Sequence, residues 1–202
     1  VIRPVVIKVG GSLFDWPELR GSLSTLLEEL RATRPHVVLL AGGGQAADFV
    51  RALDRTFALG DVTSHNLALR SLDLTAHVLA ALVPGLVVVD ELAALDSAWN
   101  QGGTPILAPR RFLEESDLAS PDPLRRSWDV TSDAIAARLA DYLGAAELLL
   151  LKSTPLPAST DRRAAARLGL VDPCFPEVAQ NLGRIVYINL RSGTREPILL
   201  GN

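Results

Sequence analysis

Unbroken apolar runs alternate along this chain with stretches of helical period. Val5-Val6-Ile7, His36 to Ala41, Leu86 to Val89 and Glu147 to Leu151 are short, rich in Val, Ile and Leu, and lack polar alternation. That is the signature of strands buried on both faces. Between them, Leu19 to Ala32 carries Leu23, Leu26, Leu27 and Leu30 at helical spacing. Gln45 to Phe57 carries Ala46, Phe49, Val50, Leu53 and Phe57, and Thr63 to Leu82 carries Leu67, Leu72, Leu74, Val78 and Leu82. Arg34-Pro35 and Pro84-Gly85 stop the first and third of these helices. A further helix runs from Ala134 to Leu143 and stops at Gly144. Asp90 to Trp99 and Arg110 to Asp117 suit short helical pieces, and Thr104 to Ala108 a short strand. The polar, proline-marked stretch from Ser116 to Ser127 suits a surface loop able to close over a ligand. Past Lys152 the pattern weakens: an Arg- and Ala-rich piece (Asp161 to Leu168), a turn at Asp172-Pro173, a short helix after Pro176, and closing strands at Arg184 to Leu190 and Pro197 to Leu200. Strands alternating with helices predict an α/β fold with a mainly parallel sheet, in a single domain over 1-202.

Two strands end in glycine. Lys8-Val9-Gly10-Gly11-Ser12-Leu13 follows the first, and Gly42-Gly43-Gly44 follows the second, each leading toward a helix. Glycine lets backbone N–H groups approach oxygens closely, and a lysine adds a point charge, so this layout suits phosphate. The lysine precedes the glycines, which excludes the Walker A pattern, and no Gly-x-Gly-x-x-Gly is present. In an open parallel sheet such loops line the edge where ligands bind.

Composition sharpens the picture at one point. Of 20 basic residues only Lys8 and Lys152 are lysine. A compact ammonium fits between phosphate oxygens where a planar guanidinium does not. Hydrophobic residues make up 48% and charged residues 21%, so the chain is globular rather than disordered. The longest apolar stretch, Val78 to Val89, is broken by Pro84-Gly85 and too short to span a bilayer. A net charge of −3 and 5% aromatics leave no basic, stacking footprint for nucleic acid. One cysteine, Cys174, excludes an internal disulfide framework and a cysteine-rich metal site. With no stretch reading as a signal peptide, the expected setting is cytoplasmic. Thr131-Ser132-Asp133 opens the late helix, where Thr131 or Ser132 can cap it and Asp133 suits the dipole; that role alone would explain all three.

Lys8 with its Gly-Gly-Ser loop, then Gly42-Gly43-Gly44 after a strand, then Thr131-Ser132-Asp133-Ala134 occur in the order and approximate spacing of the amino acid kinase superfamily, which this chain resembles over nearly its whole length. The resemblance implies a three-layer α/β/α sandwich, ATP with Mg2+ carried on its phosphates rather than by a protein metal site, and phosphoryl transfer to a carboxylate or phosphate oxygen. It also implies an acceptor-binding half over about 1-120 and a nucleotide-binding half over about 121-202. A homo-oligomer acting on a small molecule, away from membranes and nucleic acid, is expected. Ser64-His65, Asp73, Ser127-Trp128 and Val171-Asp172 are most similar to the kinases of methanofuran biosynthesis. Those convert 5-(aminomethyl)-3-furanmethanol phosphate to its diphosphate. Isopentenyl phosphate or an amino-acid carboxylate as acceptor, or a non-catalytic nucleotide-binding or storage protein of the same fold, are the alternatives.

Carried onto these residues, the resemblance makes Lys8 the bridge between donor and acceptor oxygens and Asp133 the group that orients it. Gly10, Gly11, Ser12, Lys152, Ser153 and Thr154 would bind nucleotide phosphates, and Gly42, Gly43, Gly44, His65, Asp73 and Thr131 the acceptor. His65 either donates to an acceptor phosphate or is a solvated helix residue. Asp73 either pairs with a substrate ammonium or serves the surface. The chain departs from the superfamily where Lys152-Ser153-Thr154-Pro155 replaces Thr-Asp-Val-Asp-Gly. It also lacks the late second lysine, whose place falls to Lys152 or to an arginine such as Arg162 or Arg163.

Overall fold

The computed structural model describes residues 2–199. Its strands are β1 (Val5–Val9), β2 (Val37–Ala41), β3 (Leu86–Val89), β4 (Thr104–Leu107), β5 (Glu147–Lys152), β6 (Ile185–Asn189) and β7 (Thr194–Pro197). They form one sheet in the order β3-β4-β2-β1-β5-β6-β7. All neighbours are parallel except β6 and β7. The helices are α1 (Leu19–Arg31), α2 (Gly44–Phe57), α3 (Asp61–Leu82), α4 (Leu95–Asn100), α5 (Ser132–Tyr142), α6 (Arg162–Arg167) and α7 (Phe175–Val178). The three-layer α/β/α arrangement expected of the chain is present.

Alternation along the strands sorts their side chains onto two faces. Val5, Ile7 and Val9 pack with Leu19, Leu23, Leu26 and Leu27 of α1. Val6 packs with Leu148 and Leu150 of β5 and with Ala134, Ala137 and Leu139 of α5. The register pairs Lys8 with Leu150, two residues before Lys152. Lys8 and Lys152 therefore point to the same face, the one α5 covers. The small residues Ala134, Ala136, Ala137 and Ala140 let α5 lie close to that sheet face.

Several expectations need correction. On α2 the buried apolar residues are Ala47 and Val50, while Phe49 and Phe57 are 64% and 67% exposed. The helix is rotated because the face carrying Asp48, Arg51 and Asp54 turns toward a cavity and toward Trp128. On α3, Leu74, Val78 and Leu82 are exposed, and the buried side includes Ser64, His65, Ser71 and Thr75. Arg110 to Asp117 forms a π-helical stretch over Phe112–Asp117. Asp161 to Leu168 folds as α6, capped by the Asp161 carboxylate accepting from the Ala164 N–H. The last strand lies at Thr194–Pro197 rather than at Pro197 to Leu200; Leu199 forms an isolated bridge with Asp161, and Leu200 lies outside the described residues. Among the described residues no helix is long and apolar enough to cross a membrane.

Candidate functional site

At the carboxyl edge of the sheet, β1 and β2 run into their glycine loops side by side. A Cβ on Gly42 would stand 2.6 Å from the Gly11 nitrogen, and one on Gly11 would stand 2.6 Å from the Gly44 nitrogen. The two loops are packed backbone to backbone, which is why both need glycine. Gly44 also holds φ at +50°. Gly10 departs from its expected role: its N–H donates to the Leu151 carbonyl at 2.8 Å and is not free for phosphate. The N–H of Gly42 is likewise used, on the Val9 carbonyl at 2.8 Å. The N-terminus of α2 has no side-chain cap, and Gly43, Gly44 and Gln45 line a cavity of about 400 Å³. Uncapped N–H groups with the positive end of a helix dipole favour an anion there.

Beside this cavity lies a buried ion-pair set. Lys8 Nζ stands 2.9 Å from Asp133 Oδ1, and Lys152 Nζ donates to Asp133 Oδ2 at 2.8 Å. Lys152 Nζ also donates to the Leu170 carbonyl at 2.6 Å. Burial pushes the Lys8 ammonium down to about 8 despite support from Asp133, with Lys152 adding repulsion. Burial works against the Asp133 carboxylate too, yet Lys152 and Lys8 outweigh it and hold that group at about 2. Asp133 is therefore a fixed anion between two cations, one of which is poised to lose its proton near neutrality. The three do not line the cavity themselves; their chain neighbours Gly11 and Ser132 do, with Ser12 and Thr131.

The remaining expected residues divide. Ser12 and Ser153 meet through their hydroxyls at 2.8 Å, which joins the loop after β1 to the one after β5. The Thr154 hydroxyl lies 3.1 Å from that of Tyr187. Thr131 lines the cavity but does not cap α5: its N–H and hydroxyl both donate to Asp172 Oδ2, at 3.0 and 2.9 Å. His65 is buried and lines the cavity, not solvated. Its Nδ1 faces the Ser127 carbonyl at 3.2 Å, and since a carbonyl only accepts, Nδ1 carries the hydrogen. Burial lowers its pKa, so at neutral pH Nε2 is bare and donates to a phosphate only after taking up a proton. Asp73 is not brought to the cavity; it lies 3.5 Å from Arg110 Nε. The carboxylates that do line the cavity are Asp15 and Asp48. Arg162 is spent on the Ala179 and Leu182 carbonyls and Arg163 is exposed, which leaves Lys152 as the second cation at Asp133.

Asp172, Trp128, Asp54 and Arg51, to which the sequence assigns no site role, complete the surroundings. Asp172 accepts from Thr131 and from the Ala134 N–H at 2.9 Å. The indole of Trp128 donates to Asp54 Oδ2 at 2.8 Å and carries the Arg51 guanidinium 5.0 Å from its ring centre. Trp128 is thus held to α2 from two sides and forms a cavity wall. The pairing Ser127-Trp128 and the dipeptide Val171-Asp172 are visible in the sequence, but nothing in their spacing announces these partners.

Paired glycine loops beside a buried lysine–aspartate–lysine set give this α/β protein an arrangement suited to an anionic ligand. The sequence matches the amino acid kinase family over residues 3–156, and the chain belongs to that family. It is 28% identical over 146 residues to the [5-(aminomethyl)furan-3-yl]methyl phosphate kinase of Methanocaldococcus jannaschii, covering 72% of this chain and 63% of that protein. The match thus spans less than two thirds of that relative. It is 26% identical to the uridylate kinase of Methanosarcina barkeri, over 96% of this chain and 78% of that one. The solved UMP kinase of Ureaplasma parvum superposes with a TM-score of 0.69 at 12% identity, over 97% and 95% of the two chains.

Proposed function

We propose that this chain is an ATP-dependent small-molecule kinase that transfers the γ-phosphoryl group to a phosphorylated aminomethylfuran, giving a diphosphate. The observation that carries the reading is the Lys8–Asp133–Lys152 set beside the glycine-lined cavity. Phosphoryl transfer asks a protein mainly to align two reactants and to neutralise the equatorial oxygens. An oxygen of the acceptor phosphate forms the new bond to the γ-phosphorus as the bond to the β-phosphate oxygen breaks, and ADP departs. A phosphate monoester is already ionised, so no strong base is needed, consistent with an Asp133 that serves as a fixed anion. Lys8 would bridge the two substrates, and Lys152 would neutralise the nucleotide side with Ser12 and Ser153. Magnesium would arrive on the ATP phosphates. The N-terminus of α2 would take the acceptor phosphate, and Asp15 or Asp48, rather than Asp73, would face its ammonium group. The acceptor half would extend over about 1-120 and the nucleotide half over about 121-202.

Uridylate is the second reading, favoured by the share of the chain that the uridylate kinase match covers. The test is ADP release with magnesium and ATP across a panel of acceptors: the aminomethylfuran phosphate, UMP, isopentenyl phosphate, N-acetylglutamate and aspartate. Turnover on the furan phosphate alone, lost in Lys8→Ala, is the expected result. Turnover on another acceptor would discard the furan assignment and keep the mechanism. Silence on every acceptor with ATP bound would overturn the kinase reading in favour of a nucleotide-binding protein.

A further inference from the structure

Both lysines of the site are already engaged. Lys8 and Lys152 share the carboxylate of Asp133, and Lys152 Nζ also donates to the Leu170 carbonyl. Two ammonium groups against one carboxylate leave a single positive charge, whereas a nucleoside polyphosphate brings several negative ones.

A further cation stands at the same edge of the sheet. Arg191 lies just past the end of β6, whose last residue, Asn189, pairs in register with Lys152. The Leu190 N–H donates to the Lys152 carbonyl at 2.9 Å, and the Arg191 N–H donates to the Asn189 side-chain oxygen at 3.2 Å. The backbone at Arg191 is thus fastened to the strand that carries Lys152. From there the guanidinium reaches back to the loop after β1. Its Nη2 donates to Asp15 Oδ1 at 3.2 Å and lies 3.5 Å from the Ser12 carbonyl, and its carbon stands 6.0 Å from the centre of the Trp16 ring. Ser12 meets Ser153 through its hydroxyl, so the loops after β1, β5 and β6 converge beside Arg191. Asp15, in turn, lines the cavity at the start of α2.

The pair is built to part. The Arg191 and Asp15 side chains are 44% and 59% exposed, and an ion pair so open to water holds its partners loosely. A phosphate offers a guanidinium two parallel charge-assisted bonds, where Asp15 takes only one. Arg191 can therefore exchange its carboxylate for a phosphate, while the buried lysines remain on Asp133.

We propose that Arg191 is a binding residue for nucleotide phosphates: it leaves Asp15 for a polyphosphate held beside Ser12 and Ser153, and the freed Asp15 carboxylate then faces the cavity. The proposal rests on the phosphoryl-transfer reading for the identity of its ligand. Its physical content is a competition between Asp15 and phosphate for one guanidinium.

Calorimetric titration of ADP and of inorganic tripolyphosphate tests this without turnover. Arg191→Ala should weaken both about tenfold, the scale of one lost charge-assisted bond. Arg191→Lys should recover part of that, since an ammonium keeps the charge but not the paired geometry. Asp15→Asn should act with the opposite sign and tighten both about threefold, and the gain should shrink when Arg191 is already alanine. Unchanged affinities in a folded Arg191→Ala overturn the proposal. Weakening in both Arg191→Ala and Asp15→Asn overturns it too, because a pair that only braces the loop after β1 predicts one sign for both. Should Arg191→Ala not fold, Asp15→Asn decides alone, and affinity that stays level or falls there overturns the proposal. Binding that depends on Arg191 with a silent acceptor panel would sink the kinase reading alone. Turnover whose KM for ATP is unmoved in Arg191→Ala would sink this proposal alone.

Discussion

Folding favours the charge of Asp133 and opposes that of Lys8, although they are one ion pair, and both effects make stability rise with pH, in separate windows. Asp133 falls from 3.8 to about 2 on folding. Its contribution is therefore complete above pH 3.8 and is lost as pH falls toward 2. Lys8 falls from 10.5 to about 8, so below 8 its charge costs stability, and the cost is relieved as pH rises from 8 to 10.5, where the unfolded chain holds the extra proton. Lys8→Met should then unfold at the same temperature as the unchanged protein or above it at pH 7, with turnover gone. Asp133→Ala leaves two buried ammonium groups facing each other and should cost about 3 kcal/mol or more. Thermal unfolding of the two variants checks both signs. At this scale the sequence spoke through rarity: two lysines among many arginines mark both cations of the site. Asp172 was marked only by the resemblance of Val171-Asp172 and not by its role, because acidic residues are common and its partner Ala134 lies 38 positions away along the chain. Asp73 misled because its place on α3 is one helical face away from the cavity that His65 reaches.

At the level of elements, parity and close approach decide the arrangement. The parallel register places Lys8 and Lys152 on one sheet face, and backbone contact between Gly11 and the Gly42–Gly44 loop fixes the cavity floor. Gly42→Ala must push these loops apart and should destabilise by about 1–3 kcal/mol while raising KM for the acceptor. Gly21→Ala is the contrast: nothing lies within 4 Å of a Cβ there, in the first turn of α1. It should stabilise by about 1 kcal/mol, with kinetics unchanged, as urea unfolding and steady-state assays would show. The buried strands were legible because sheet faces covered on both sides demand unbroken apolar runs. The faces of α2 and α3 were not. Asp48 and Arg51 border the cavity and Arg51 and Asp54 meet Trp128, contacts that the amphipathic pattern, which would have buried Phe49 and Phe57, does not announce. Helix α6 was illegible for a related reason, since its arginine Arg162 is buried on backbone carbonyls instead of facing water.

Across the whole molecule, stability should grade outward from β1. That strand has β2 and β5 as parallel neighbours and is fully buried, whereas β7 pairs antiparallel at the margin and is exposed throughout. Hydrogen exchange should find the β1 amides the slowest of the sheet and those of β7 the fastest, and equal protection of the two would contradict this gradient. The site lies at the carboxyl end of the most protected strand, so its cations stand on the most rigid part of the fold. Both side-chain amines of the molecule are gathered at one point, and one of them sheds its proton at about 8. Lys8 is buried and Lys152 nearly so, each held on Asp133. Amine reagents that scatter over the surface of a lysine-rich protein should therefore find no open side-chain amine on this one until it unfolds, so that lysine labelling reads out unfolding directly.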